Sequence, residues 1–261
     1  MEKYIEDRVE MWRSSILDAF DKVKYNDIVD RTNPYLVLSI YPNLAAFASE
    51  AVTAWYHRSI TTKYGMVLED IAHHILGCPK SATTGVDIDI IRGECRVLAS
   101  CKSGKNWGNT QSRSAQGRQF ETAKKVVSQN DKRHAFVTAM VIFYGNGGIG
   151  SQSEADMQLE GQNAWHFITG DREGYIRIAK AVRSKTEAFW GSVIAKRMEC
   201  AARITNEILS QANGMDWHEW LIKHTCECVS QDDAIMSRII PAAANKNANC
   251  LIAKDFFEIG S

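Results

Sequence analysis

Residues 86–102 of this chain read VDIDIIRGECRVLASCK. Apolar and polar side chains alternate in residues 86–90 and again in residues 96–102, which is the period of a β-strand with one buried face. The residues between these runs, 92–94 (RGE), are typical of a tight turn because their glycine adopts positive φ angles without strain. This stretch therefore predicts an antiparallel β-hairpin.

The position of the turn also predicts the register of the hairpin. With the turn centred near Gly93 and Glu94, the numbers of cross-strand partners sum to about 187 or 188. Asp87 then lies opposite Ser100 or Cys101. One face of the hairpin holds apolar residues: Val86, Ile88, Ile90, Val97, Ala99 and Cys101. The other face holds Asp87, Asp89, Ser100 and Lys102. These polar residues form either a solvated surface with a lysine–aspartate ion pair or part of a reaction centre.

The remaining periodicity predicts helices before and after this hairpin. Residues 4–24 and 44–64 repeat apolar side chains at helical spacing. Gly65 separates the second stretch from a further helical pattern at residues 66–76. Residues 111–130 predict a polar helix. Two later helices are expected at about residues 172–184 and 187–212.

A second strand signal lies at residues 135–144 (AFVTAMVIFY), whose continuous apolar run is typical of a central strand buried on both faces. Together with the hairpin and the helices, it predicts an α/β fold with a central mixed sheet flanked by helices on both faces. We expect one domain over residues 1–261. Within it, residues 1–35 form an N-terminal helical arm, residues 36–171 the core and residues 172–261 a helical C-terminal part.

The composition limits the class of protein. The chain has 261 residues, 45% of them hydrophobic, with 31 basic and 31 acidic side chains. This length can bury a full core without disulfides or structural metals. No apolar run reaches the roughly 18–20 residues that a membrane span requires, and the charged N-terminus lacks the apolar segment of a secretory signal. We therefore expect a soluble cytoplasmic protein without a membrane partner.

The chain resembles a known enzyme family at several places. Asp87 followed by Ser100-Cys101-Lys102 has the order and spacing of the PD-(D/E)xK nuclease core, with serine at the usual second acidic position. The stretch at 102–111 (KSGKNWGNTQ) is similar to that of one group of type II restriction endonucleases. Three more blocks resemble the same group in the same order: 33–36 (NPYL), 64–69 (YGMVLE) and 161–171 (GQNAWHFITGD).

This resemblance implies a restriction-endonuclease-like core that hydrolyses DNA with Mg²⁺. Asp87 is the expected first metal ligand, and the backbone carbonyl of Cys101 faces the metal in this fold. Glu69 is the expected replacement carboxylate, since related nucleases draw one from the helix before the hairpin; otherwise it is an ordinary exposed glutamate. Lys102 would orient the attacking water, and Ser100 leaves the second acid open. Asp89 is a weaker candidate ligand.

The stretch after the hairpin suggests a DNA-binding surface. Residues 102–134 contain eight lysine or arginine side chains and two acidic ones, within a chain of zero net charge. Such a run next to a nuclease site can contact phosphates, although a solvated helix face has the same composition. Amides and arginine can read base edges. The candidate DNA-binding residues are Lys105, Asn106, Asn109, Gln111, Arg113, Arg118, Lys124 and Lys125.

The sequence therefore predicts a type II restriction endonuclease that cleaves double-stranded DNA at a short specific sequence. A palindromic site calls for a homodimer, with the N-terminal helix and the helices beyond residue 187 as the candidate dimer surface. One alternative is a structure-specific or repair nuclease of the same fold. Another is a sequence-specific DNA-binding protein that has lost catalysis, which the serine at position 100 would permit.

Overall fold

The computed structural model describes residues 1–104, 106–147, 149–152 and 154–226. Its helices are α1 (Glu2–Lys22), α2 (Tyr25–Val29), α3 (Pro34–Ile40), α4 (Leu44–Leu76), α5 (Thr110–Asn130), α6 (Gln162–Thr169), α7 (Gly174–Arg183), α8 (Thr186–Ala212) and α9 (Trp217–Cys226). Its strands are β1 (Ile88–Arg92), β2 (Cys95–Gly104), β3 (Ala135–Tyr144), β4 (Gly150–Gln152) and β5 (Ala155–Glu160).

The strands of the described residues form one mixed sheet in the order β1-β2-β3-β5-β4. Strands β2, β3 and β5 are parallel to one another, whereas β1 pairs with β2 and β4 with β5 in antiparallel fashion. Strand β3 has the bounds that the apolar run predicts, and the middle of it is buried on both faces of the sheet. The predicted mixed sheet is confirmed.

The hairpin has the first of the two predicted registers. Ile88 pairs with Ala99 and Ile90 pairs with Val97, so partner numbers sum to 187. The expectation that Val86 shares the face of Ile88 is wrong. Strand β1 begins only at Ile88, and Val86 in the preceding loop packs into the core on the opposite face, together with Leu98.

Helices cover both faces of the sheet, as predicted. On one face α1, α4, α6 and α7 contribute buried residues such as Ile5, Val67, Trp165 and Ile178 to a core shared with Val141 of β3. On the other face α5 packs Phe120, Ala123 and Val127 against Leu98 and Met140. Burial of an aliphatic or aromatic side chain stabilises the fold by about 1.5–3 kcal/mol, so this layering positions β2 firmly between the two helical layers.

Helix α4 is continuous, and the expected interruption at Gly65 is wrong. A glycine inside a helix costs only about 1 kcal/mol relative to alanine, which the burial of Val67 and Ile71 in the next turns offsets. A Cβ at Gly65 would lie 3.7 Å from the Cβ of Ser103 in β2, so the helix passes close to the sheet here. The helix ends where predicted, at Gly77 with φ of 65°.

A further layer of helices lies away from the sheet. The second half of α1, the first half of α4, and α8 and α9 share a core that includes Phe20, Val52, Ile204 and Leu221. Strands β4 and β5 were not predicted, and residues 165–169, whose sequence allows either a strand or the start of a helix, lie in α6. The division into arm, core and C-terminal part stays a prediction, because residues 227–261 lie outside the described residues. Within the described residues, no helix combines the length and apolar character needed to cross a bilayer.

Candidate active site

Asp87 directly precedes β1 and closes the open end of the hairpin. Its backbone N–H donates to the carbonyl of Ala99 at 2.8 Å. Its carboxylate oxygen Oδ2 accepts a hydrogen bond of 2.7 Å from the backbone N–H of Cys101. The carboxylate thus takes the place of a backbone acceptor that β1, beginning one residue later, does not supply. The second carboxylate oxygen, Oδ1, faces the ammonium group of Lys80 instead.

Ser100 and Gln116 fix the Asp87 carboxylate from the side of α5. The Ser100 hydroxyl is buried and lies 3.1 Å from Asp87 Oδ2 and 3.2 Å from Gln116 Oε1. Because a hydroxyl has one proton, it donates to one of these acceptors at a time. Gln116 also donates through Nε2 to the carbonyl of Gly85 at 2.7 Å. Two neutral side chains, Ser100 and Gln116, therefore surround the Asp87 carboxylate on this side.

Gln116 is a site residue that sequence reasoning missed. It is buried on the same face of α5 as Phe120, Ala123 and Val127. A polar residue on an otherwise apolar helix face was the available signal, since buried amides occur where they find partners.

Glu69 meets Asp87 at a single cation, the ammonium group of Lys80. Lys80 Nζ lies 2.5 Å from Glu69 Oε1 and 3.9 Å from Asp87 Oδ1. The hydrogen bond to Glu69 raises the pKa of Lys80 above its ordinary value, and the negative charge of Asp87 adds to this shift. His73 Nε2 lies 3.9 Å from Glu69 Oε1 on the same helix. Glu69 is therefore part of the site, and Lys80 is a member that the sequence pattern did not indicate.

Cys101 contributes a backbone oxygen rather than a thiol. Both backbone groups of a strand residue point to the same neighbouring strand, so the Cys101 carbonyl lies on the edge where its N–H meets Asp87. Burial raises the pKa of the Cys101 thiol well above its ordinary value, and nearby carboxylates add to the shift. The thiol therefore stays protonated and is a poor ligand.

The oxygen groups at this edge fit a hard divalent cation. Mg²⁺ prefers oxygen ligands and retains several waters, so two carboxylates with one carbonyl suffice. The described residues contain no cluster of three or more histidine, cysteine, aspartate or glutamate side chains suited to a metal. The oxygen groups that would hold a metal at this edge are Asp87, Glu69 and the Cys101 carbonyl, and the two carboxylates flank one ammonium group, that of Lys80.

Lys102 follows on the same strand and on the same face as Ser100, but its ammonium group lies 5.3 Å from the ring centroid of Trp107. The ion pairs formed by the described residues do not include one between Lys102 and Asp87. The interpretation of these residues as a simple salt bridge is therefore wrong. A cation over an aromatic face is held without a carboxylate partner, and it remains able to contact an anion.

Asp89 lies in a different environment, although it is two residues from Asp87. Arg96 Nε and Nη2 donate to its two oxygens at 2.7 and 2.8 Å. Arg96 also contacts Asp131 Oδ2 at 3.1 Å. Both oxygens of Asp89, the weaker candidate ligand, are therefore engaged by a guanidinium group.

The predicted DNA-binding residues differ in their exposure to solvent and in their contacts within the chain. Asn106, Gln111, Arg118 and Lys125 are exposed, whereas Lys105 lies outside the described residues. A cleft of about 850 Å³ between α5 and β5 is lined by basic residues together with Glu154 and Asp156. The basic residues in this cleft are Arg113, Arg118, Lys124 and Lys125.

Three of these candidates already have partners within the chain. Asn109 Oδ1 caps α5 by accepting the N–H of Ser112 at 2.9 Å. Lys124 Nζ lies 3.1 Å from Asp156 Oδ2. Arg113 Nη1 lies 3.2 Å from an oxygen of Glu154. Reading of a base by both atoms of the Asn109 amide would therefore compete with the helix cap.

Comparison with known proteins adds to this geometry. Residues 1–189 match a protein-family model described as Type II restriction endonuclease EcoO109I. This match spans α1 to the start of α8 and contains Glu69, Lys80, Asp87 and Lys102. A comparison with curated proteins finds no match.

Proposed function

We propose that this chain, which belongs to the EcoO109I family of type II restriction endonucleases, cleaves double-stranded DNA at a short specific sequence with Mg²⁺ as cofactor. The observation that carries the proposal is the meeting of Glu69 and Asp87 at one cation. This pair of carboxylates lies beside the Cys101 carbonyl, and Lys102 is the next residue of the same strand. The proposed metal ligands and a cationic side chain therefore lie close together.

The proposed roles follow from the chemistry of phosphodiester hydrolysis. When bound, magnesium polarises the phosphoryl oxygen and lowers the pKa of a water. Asp87 and Glu69 hold the ion, and Ser100 keeps Asp87 in place through its hydrogen bond. Lys102 orients the attacking water and offsets the charge on the phosphate. The Trp107 ring restricts where the ammonium group of Lys102 can lie.

We also propose that the protein acts as a homodimer in the cytoplasm, with one active site for each DNA strand. Helix α8 supports this proposal with an exposed apolar stripe at intervals of one helical turn. The exposed fractions are 48% for Trp190, 42% for Ile194 and 70% for Met198. These residues lie in the part of the chain beyond residue 187 that the sequence suggested for dimer contacts.

One observation favours a second candidate, a sequence-specific DNA-binding protein without catalysis. Ser100 stands where the nuclease core carries its second acid, and its hydroxyl is engaged by Asp87 and Gln116. Under this candidate, Glu69 would be only a partner of Lys80.

Incubation of the purified protein with DNA of known sequence tests the two candidates. With Mg²⁺, the proposed enzyme yields discrete fragments whose mapped ends share one short sequence, and chelation of the metal stops the reaction. Asp87→Asn is the matched inactive control. Specific binding in Ca²⁺ without cleavage in Mg²⁺ or Mn²⁺ would favour the second candidate. Smears or cuts at branch points would indicate a structure-specific nuclease instead.

The DNA-binding surface can be tested with a matched pair of lysines on α5. Lys125 is exposed, whereas Lys124 is already paired with Asp156. Lys125→Ala should therefore weaken binding to all sequences and lower the salt slope by about one unit, and Lys124→Ala should change it less. Binding measured in Ca²⁺ over a range of salt concentrations would show the difference. Equal, unchanged slopes would remove this face of α5 from the proposed interface.

A further inference from the structure

We propose that Lys80 is a built-in cation of the metal-free protein, which holds Glu69 and Asp87 together and must be displaced by the divalent ion. This inference deepens the proposed function and rests on it, because it takes these two carboxylates as the metal ligands. It assigns a role to a residue of the loop between α4 and β1. The consequence is that Lys80 lowers the apparent affinity of the site for metal.

The ammonium group of Lys80 faces the same two carboxylates that would hold the metal. Its Nζ lies 2.5 Å from Glu69 Oε1 and 3.9 Å from Asp87 Oδ1. The Asp87 oxygen that faces Lys80 is not the one that accepts from Cys101, since that bond uses Oδ2. The ammonium group thus meets the Asp87 oxygen that this backbone bond leaves for a cation.

The exposure of the three side chains shows which of them can move. The Glu69 and Asp87 side chains are 19% and 18% exposed, whereas that of Lys80 is 65% exposed. The carboxylates are therefore held by the protein, and the lysine reaches them from the solvent side. The backbone of the next residue is anchored, because Ser81 N–H donates to the carbonyl of Asp87 at 3.0 Å. The end of the Lys80 side chain can withdraw while its Cα stays close to the site.

Electrostatics gives this arrangement a function. Two carboxylates near one another repel, and a positive group between them offsets that repulsion. A divalent ion at the same oxygens and the Lys80 ammonium exclude each other through charge and volume. The lysine therefore keeps the ligands in position before metal binds, and metal binding includes the free-energy change of breaking its ion pair.

Calorimetric titration with Mn²⁺ in the absence of DNA tests the proposal. Lys80→Met removes the ammonium group and keeps a long side chain. An exposed ion pair contributes up to about 1 kcal/mol, so we expect roughly threefold to fivefold tighter Mn²⁺ binding by this variant. Lys196→Met is the matched control, because Lys196 pairs with Asp21 at 2.7 Å on the helical layer away from the sheet and its loss removes the same charge. We expect this control to bind Mn²⁺ like the wild type.

The outcomes separate the role of Lys80 from the identity of the metal site. Equal or weaker Mn²⁺ binding by Lys80→Met overturns the proposed role of Lys80. This holds also if the variant loses cleavage because a phosphate contact is lost. Equally increased affinity in both lysine variants also overturns it, because net charge would then explain the gain.

Two further variants test the premise. Loss of Mn²⁺ binding in Asp87→Asn and Glu69→Gln supports the proposed ligands, whereas wild-type binding in both would mean that the metal lies elsewhere and that both proposals fail. Thermal unfolding without metal verifies that each variant is folded. Lys80→Gln replaces Lys80→Met if the latter does not fold.

Discussion

Asp87 and Asp89 lie two residues apart near the open end of the β1–β2 hairpin, but their carboxylates have opposite environments. Asp87 uses one oxygen to complete the strand ladder and presents the other to a solvent-facing lysine. Asp89, which pairs with Leu98 inside the ladder, is held by two hydrogen bonds from Arg96, which in turn contacts Asp131. The two residues share a sequence pattern, but Arg96 engages both oxygens of Asp89, whereas Oδ1 of Asp87 faces only the exposed Lys80 among the ion pairs of the described residues.

The difference shows what makes a carboxylate available for catalysis. A guanidinium group binds both oxygens of a carboxylate at once and cannot lose its proton, so it neutralises the acid permanently. The hydrogen bond with Asp89 raises the pKa of Arg96 above its already high ordinary value. A flexible lysine at 65% exposure forms an exchangeable contact instead. Asp87 is therefore suited to bind a metal, and Asp89 stabilises the hairpin.

The largest expected effect is loss of cleavage on substitution of Asp87. Asp87→Asn should abolish Mg²⁺-supported cleavage, because an amide is a weaker ligand for a hard cation than a carboxylate. Asp89→Asn should keep most of the activity at a temperature where the variant is folded. Cleavage rates of both variants on a plasmid that contains the cognate site would measure the difference. Loss of activity in folded Asp89→Asn, with activity kept in Asp87→Asn, would reverse the comparison.

The next effect concerns Lys102. Lys102→Ala should lower the single-turnover cleavage rate by roughly 10²–10⁴-fold, the range typical of a group that assists proton transfer. Affinity for cognate DNA in Ca²⁺ should change little, which separates catalysis from binding. Lys102→Met, which keeps the aliphatic contact with Trp107, serves as the control for packing. A near-normal rate in both variants would remove Lys102 from the reaction.

A smaller effect is expected on stability at Asp89. Asp89→Asn should lower the free energy of unfolding by about 1–2 kcal/mol, because the half-buried guanidinium of Arg96 loses a charged partner. Asp7→Asn, which breaks an exposed ion pair with Lys3, should cost less than about 0.5 kcal/mol. Urea unfolding of the three proteins would give both values. Equal small losses would mean that the Arg96 pair is only a surface contact.

The smallest effect is a dependence on pH at Asp131. The hydrogen bond with His134 holds the pKa of Asp131 well below its ordinary value of 3.8, and contacts from Arg96 add to this. A depressed folded-state pKa stabilises the fold above the unfolded-state value, and this contribution is lost as pH falls through the folded-state pKa. Asp131→Asn should therefore lower the melting temperature at pH 7, and the difference should shrink below about pH 4. A difference that stays constant into acid would contradict an ionic origin.

The elements that could be predicted from sequence are those whose information is local. The register of the hairpin follows from a two-residue turn, and the bounds of β3 follow from ten consecutive residues that are mostly apolar. Failures occurred where local signals compete with packing. Gly65 does not end its helix because neighbouring residues are buried, and Val86 changes face because β1 begins later than the alternation suggests.

The site divides in the same way. Alternation along the hairpin placed Asp87, Asp89, Ser100 and Lys102 on a common face. The family resemblance then singled out Asp87, Ser100 and Lys102 and added Glu69. The tertiary structure decided which oxygens are available. It placed Gln116 of α5 behind Ser100, Arg96 over Asp89 and Lys80 between Glu69 and Asp87. These contacts join separate elements, and their geometry depends on how α4 and α5 pack against the two faces of the sheet. Periodicity indicates which side of an element is buried, but it does not indicate which distant polar group contacts that side. Whether a carboxylate is a candidate metal ligand or part of a structural ion pair depends on that contact.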